Sequence, residues 1–188
     1  LCEQLGHIVE EASPDIGEDL APHFTNVIAA HTAATVNQRE EVLGRKVDSD
    51  ELETVTHVLV GLGRSLTALD IVAADQAFMR GAIALARFQQ TYDIILTVTL
   101  AAPPARIGVM SLDQPAPDYG RAVGAYSPFT ALDNMTGQPA MSVPLAWSAA
   151  GLPIGIHFAG RLGEEELLLS LAGQLERARP WAGRRAPL

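Results

Sequence analysis

An α/β fold, helices packed against a sheet, is what this sequence predicts, on three observations. Apolar residues recur at helical spacing over several long stretches, while three short apolar runs, Ile94 to Leu96, Ala140 to Leu145 and Ile154 to Gly160, lack that period and read as buried strands. Gly and Pro punctuate the boundaries between them. The 188 residues are 48% hydrophobic and 19% charged, too apolar for disorder and enough for one domain, expected to span the whole of 1–188.

In chain order, Leu1 to Leu5 reads as a helix tail stopped at Gly6, and His7 to Ala12 as a short strand before Pro14. The chain therefore begins inside an element. With no initiating Met and no basic run followed by an apolar stretch, the natural N-terminus is expected elsewhere. From Asp19 to about Gln38, Leu20, Phe24, Val27, Ile28 and Ala34 fit one helical face, and Asp48 or Asp50 can cap the next helix with Glu51 or Glu53. A longer helix carries Leu69, Val72, Met79, Ile83 and Ala86 and should end near Tyr92, ahead of the strand at Ile94. Four prolines, Pro103, Pro104, Pro115 and Pro117, predict an irregular surface loop over Ala101 to Pro117. A short helix near Pro128 should stop at Gly137. The strands on either side of Trp147 to Gly151 should then pair as an antiparallel hairpin buried on both faces. Gly163 opens the last helix, whose first turn holds Glu164, Glu165 and Glu166, whose face is Leu167, Leu168, Leu171 and Leu175, and which Arg177, Arg179 and Pro180 close.

Composition excludes several function classes. A net charge of −9 disfavours nucleic-acid backbones, which need clustered cations, and here the arginines are scattered and the one lysine is Lys46. No apolar run is long enough to span a bilayer, so no membrane partner is expected. The lone Cys2 cannot form an internal disulfide, which fits a reducing cytoplasm, and it reads as structural. The histidines His7, His23, His31, His57 and His157 are dispersed without the close spacing of a zinc motif, so no metal is expected. Gly61-Leu62-Gly63 lacks the rest of a phosphate cradle and reads as a helix end or a close packing point; no cofactor is implied. The three consecutive glutamates at 164–166 suit a helix N-terminus better than a paired-carboxylate site, since neighbours on a helix face different ways. Trp147 and Trp181 read as packing residues.

The segment Pro128-Phe129-Thr130-Ala131-Leu132-Asp133-Asn134-Met135-Thr136-Gly137-Gln138-Pro139-Ala140-Met141-Ser142-Val143-Pro144, followed by Gly151-Leu152-Pro153-Ile154-Gly155, resembles the C-terminal signature of the amidase-signature hydrolases. The resemblance continues through Gly160-Arg161 to Trp181, and upstream through Leu5-Gly6-His7, Gly44-Arg45 and Tyr92 to Thr97, most closely to the bacterial branch that includes the 6-aminohexanoate cyclic-dimer hydrolases. It implies the C-terminal part of an α/β/α fold on a mixed sheet covered by helices. It also implies amide hydrolysis by a Ser, cis-Ser, Lys triad lying upstream of these residues, so no catalytic residue is assigned here. An unactivated hydroxyl is a poor nucleophile without a base in hydrogen-bond reach, and neither a Gly-Ser-Ser-Gly-Gly loop nor a Gly-x-Ser-x-Gly elbow is present. Lys46, in the polar stretch from Gly44 to Asp50, reads as a solvated charge.

By the same resemblance, the segment from Tyr126 to Asn134 approaches the catalytic loop, which makes Ser127, Phe129, Thr130 and Asp133 candidates for substrate contact. Phe129 and Thr130 could equally be a helix turn packed into the core. Asp133 stands where relatives often carry an apolar residue, so it either shifts specificity toward cationic groups or sits exposed. Val98 departs from the Pro that relatives commonly have in that strand. The implied partners are a small-molecule amide and either the N-terminal portion or further copies of the chain, since a truncated sheet exposes strand edges. The isolated chain is expected to be inactive. A noncatalytic α/β module acting through oligomerisation or protein binding is the competing expectation.

Overall fold

The structure is a computed structural model describing residues 1–48 and 50–187. Among the described residues the chain is mixed α/β, with six α-helices and one three-stranded antiparallel sheet: α1 (Ala21–Leu43), α2 (Thr54–Ser65), α3 (Ala68–Phe88), β1 (Ile95–Val98), α4 (Ala116–Tyr126), α5 (Thr130–Thr136), β2 (Ala140–Trp147), β3 (Pro153–Ala159) and α6 (Glu165–Ala178). These form two compact units. The sheet unit comprises Leu1–Gly17, Ala82–Pro103 and Phe129–Leu188; the helical unit comprises Glu18–Gly81 and Pro104–Pro128. Among the described residues no single helix is long and apolar enough to cross a membrane.

In the sheet unit β3 lies between β1 and β2, with Thr97 and Ser142 both in register with His157. Pro144 has no N–H to give the ladder, and the β2–β3 pairing slips between Val143 and Ala146, where that proline sits. Alternation along the strands puts Val143, Leu145 and Phe158 into one core with Leu168 and Leu175 of α6, joined by Leu1, Cys2, Leu5 and Trp181. Cys2 is thus a packing residue. The opposite face carries Thr97, Ser142, His157 and Ala159, of which His157 and Ala159 are buried and Ser142 is exposed, so the hairpin is buried on one face and only partly on the other. Arg161 ties three elements together: its guanidinium donates to the Gln89 carbonyl (2.8 Å), Asp93 (2.6 Å) and Glu164 (3.2 Å).

In the helical unit, α1 and α2 cross at small side chains. Ala29 and Ala33 are buried, and a Cβ built on Gly63 would collide with the Ala29 carbonyl and the Ala33 methyl, so Gly63 is a close packing point. Ala74 and Ala77 of α3 are fully buried too. The period read for α3 is right and its phase wrong: Leu69, Val72 and Met79 are 78%, 48% and 65% exposed, while the alanines face inward. α1 deviates likewise, its buried side being Ala29, Ala33, Val36 and Glu40. The start of α3 is a reciprocal capping box. The Thr67 N–H donates to Asp70 Oδ2 (2.7 Å) and the Asp70 N–H to Thr67 Oγ1 (3.3 Å).

Other differences have local causes. His7 to Ala12 has no ladder partner and is not a strand. α2 starts at Thr54 after Glu53, without a side-chain cap, because Glu51 is turned back to Arg45 and the Asp48 N–H. Part of the expected loop is helix: Pro117 sits in the first turn of α4, where its missing N–H costs nothing. α5 does stop at Gly137, whose φ of 79° is left-handed. Leu167 is turned away from the core that takes the other leucines named for α6.

Candidate functional site

The site lies wholly in the sheet unit. A groove of about 1390 Å3 runs along edge strand β1, between the N-terminal segment, α5 and one side of α6. Its walls are mixed: Phe129, which precedes α5, and Leu132 within it are apolar, while Glu10, Asp93, Asp133 and Glu164 bring carboxylates and Arg161 a guanidinium. Tyr92 stacks on Phe88 with ring centroids 4.6 Å apart and donates its hydroxyl to Glu10 (3.3 Å), so that wall is held at both its apolar and polar ends.

At the groove floor three polar side chains form a chain across the sheet. Thr97 Oγ1 lies 3.1 Å from His157 Nδ1, and His157 Nε2 lies 3.3 Å from Asp133 Oδ2. The His157 and Asp133 side chains are 7% and 11% exposed. A neutral imidazole satisfies both contacts if Nε2–H donates to the carboxylate and Nδ1 accepts from the threonine hydroxyl. Beside it Thr99 Oγ1 and Ser142 Oγ are 2.6 Å apart, bridging over Gly155, where any Cβ would fall 2.7 and 2.6 Å from those two hydroxyl oxygens respectively. Strand alternation places these groups on one face, and the helix α5 that ends at Gly137 brings Asp133 to them.

Hydroxyl, imidazole and carboxylate stand in the order of a nucleophile, a base and an orienting group. Thr97, however, lies within a strand, whereas a nucleophile elbow exposes its hydroxyl on a sharp turn that also gathers backbone N–H donors. The cluster is a polar wall able to accept and orient donors.

The structure brings together two of the four residues named from the sequence. Asp133 and Phe129 both line the groove, and Asp133 does not sit exposed. Thr130 opens α5, half-buried and off the groove wall, with its carbonyl accepting from Asn134 (3.2 Å). Ser127 belongs to the helical unit, where it caps the C-terminus of α4 and its N–H donates to the Val123 carbonyl (2.8 Å). Sequence reasoning missed Thr97 and His157. The signal was available in part, as a histidine between Ile156 and Phe158 in an apolar strand; its pairing with Asp133 arises only from the fold. Lys46, in the helical unit, is 79% exposed, with its ammonium 2.6 Å from buried Glu40.

Comparison with known proteins bears on the whole chain. A family model described as Amidase matches residues 1–169. AmiC of Mycobacterium leprae is 36% identical over 185 residues, which are 97% of this chain and 39% of that protein. The 6-aminohexanoate-cyclic-dimer hydrolase of Paenarthrobacter ureafaciens is 28% identical over 193 residues, 98% of this chain and 39% of that one. The solved structure of 6-aminohexanoate cyclic dimer hydrolase superposes with a TM-score of 0.87 at 27% identity, covering 98% of this chain and 40% of that structure. The chain thus spans about 40% of the length of the relatives it matches.

Proposed function

Because the chain belongs to the Amidase family, we propose that it is part of an enzyme that hydrolyses carboxylic amide C–N bonds, in which both units belong to one amidase domain. The reaction follows the Ser, cis-Ser, Lys route, with the three catalytic groups supplied from outside these 188 residues. This chain contributes substrate-contacting wall: Phe129 and Asp133 from the groove, with Ser127 and Thr130 adjoining them in sequence. The substrate is a small-molecule amide.

One observation carries the reading. The family match extends over 1–169, yet those residues hold no Gly- and Ser-rich nucleophile loop, and their one lysine is ion-paired to Glu40. A charged ammonium so held has no lone pair with which to draw a proton from serine. The isolated chain is therefore inactive on simple amides, and activity returns when it is produced in one polypeptide with the family's N-terminal portion. Amide turnover by the isolated chain that disappears in Lys46→Ala would refute the proposal.

A second reading, a noncatalytic module that associates with itself or another protein, is favoured by large apolar side chains left in water. Leu69 and Met79 on α3 and Ile107 between β1 and α4 are exposed by 78%, 65% and 106%. Light scattering distinguishes the cases: association predicts a dimer or larger species, and a well-behaved monomer at high concentration removes this reading.

A further inference from the structure

We propose that residues 179–187 form a strap over the outer edge of β2 that keeps two copies of the chain from pairing there edge to edge. In the order β1-β3-β2 each outer strand has one edge without a ladder partner, and such an edge is a template for an added strand. β2 is the longer template, with eight residues against four in β1. Pro144 offers no N–H to a newcomer, which interrupts that edge at one point. The residues after α6 meet the strand beyond it.

Three contacts fasten the strap. Arg179, at the end of α6, donates from Nη1 to the Leu145 carbonyl (3.1 Å), so an acceptor of β2 in the irregular stretch of its pairing already has a partner. Arg184 sets its guanidinium 4.1 Å from the ring centroid of Trp147, the last residue of β2. Pro187 reaches the hairpin turn at Gly151, where a Cβ would lie 3.2 Å from the proline ring. Between these points the segment is folded: the Arg184 N–H donates to the Trp181 carbonyl (2.9 Å), and Arg185 Nη1 to the Ala182 and Arg184 carbonyls (2.8 and 2.9 Å). Trp181 packs against the core of the sheet unit and anchors the start, yet residues 182–187 are all exposed. A segment held by a few surface contacts, and not by burial, can open without unfolding the sheet beneath it.

The test compares the chain with three variants: removal of residues 182–188, Arg184→Ala, and Arg185→Ala, whose side chain bonds within the strap itself. Backbone order parameters of residues 182–187 are expected near the rigid value of about 0.85 in the unaltered chain and in Arg185→Ala, and below about 0.6 in Arg184→Ala. Removal of the strap is expected to add a species of about twice the parent's mass in sedimentation, in which the β2 amides exchange with deuterium more slowly than in the parent. Association through the apolar side chains of α3 is common to all four proteins and drops out of the comparison. Mobile residues 182–187 in the unaltered chain overturn the proposal. So does a shortened chain that sediments like the parent at every concentration, or one whose added association leaves β2 exchange unchanged, because the copies then meet elsewhere. If the shortened chain does not fold, the two point variants decide, and equal order parameters in both refute the strap. No hydrolysis is measured, so the amidase reading stands or falls separately.

Discussion

The helical unit and the sheet unit solve the packing problem with opposite materials. Ala29, Ala33 and Gly63 let α1 and α2 of the first approach until backbone meets side chain, and Ala74 and Ala77 of α3 are buried as well. The second interlocks large groups, with Phe158 and Leu175 at 1% and 0% exposure between strands and α6. Each also places its polar groups differently. The helical unit buries the carboxylate of Glu40 and surrounds it with Lys46 (2.6 Å), Arg64 (2.8 Å) and the Val47 N–H (3.2 Å), a closed arrangement with every charge answered. The sheet unit leaves Asp133 with a single neighbour beside an open groove. A carboxylate ringed by donors inside a packed unit is part of the structure, whereas one that borders a cavity can be hydrated from it.

If the two cores differ in this way, they should fail to different insults. Phe158→Ala removes a ring from a close-packed core and is expected to cost the sheet unit about 3–5 kcal/mol. Trp147 and Trp181 both belong to that unit, so tryptophan fluorescence during urea unfolding reports it, while far-UV circular dichroism weights the helices. Gly63→Ala adds a methyl where backbone blocks it and should cost the helical unit about 1–3 kcal/mol, the usual range for overpacking. The first variant should shift the fluorescence transition more than the dichroism one, and the second the reverse. Coincident shifts in both would mean that the units unfold as one, and the contrast would carry no separate energetics.

The same contrast explains which parts of the fold could be read from the sequence. The hairpin, the stop of α5 at Gly137 and the acidic start of α6 are governed by local turn and cap chemistry, and they stand where the residues place them. Where small residues are the buried ones, ranking by hydrophobicity selects the wrong side of a helix: Leu69, Val72 and Met79 outweigh Ala74 and Ala77 on any apolar scale, yet the alanines are the residues that are buried. α4 was hidden because Pro115 and Pro117 punctuate a loop as readily as they begin a helix. In the candidate site, Phe129 and Asp133 could be named from a motif contained in one segment. Thr97 and His157 could not, since they are 60 residues apart and meet only through strand register.

The smallest expected effect is a pH dependence confined to the helical unit. Lys46, Val47 and Arg64 together hold the Glu40 carboxyl at about 2, with the Lys46 hydrogen bond the largest cause, and hydrogen bonding from Arg45 and the Asp48 N–H holds Glu51 at about 2. Glu18 is lowered chiefly by its Arg80 hydrogen bond, and Asp70 by the Thr67 hydroxyl. A carboxyl whose pKa is lower folded than unfolded binds fewer protons when folded, so its contribution is fully present above the ordinary carboxyl value. For Glu40 and Glu51 that contribution disappears as pH falls from 4.5 toward about 2. Helical ellipticity followed through that window should therefore fall before the tryptophan signal of the sheet unit does. Glu40→Gln cannot make that charged contact at any pH, so the variant should be less stable than the parent at neutral pH and lose less on acidification. An acid profile unchanged by Glu40→Gln would mean that the buried ion cluster contributes nothing measurable to the helical unit.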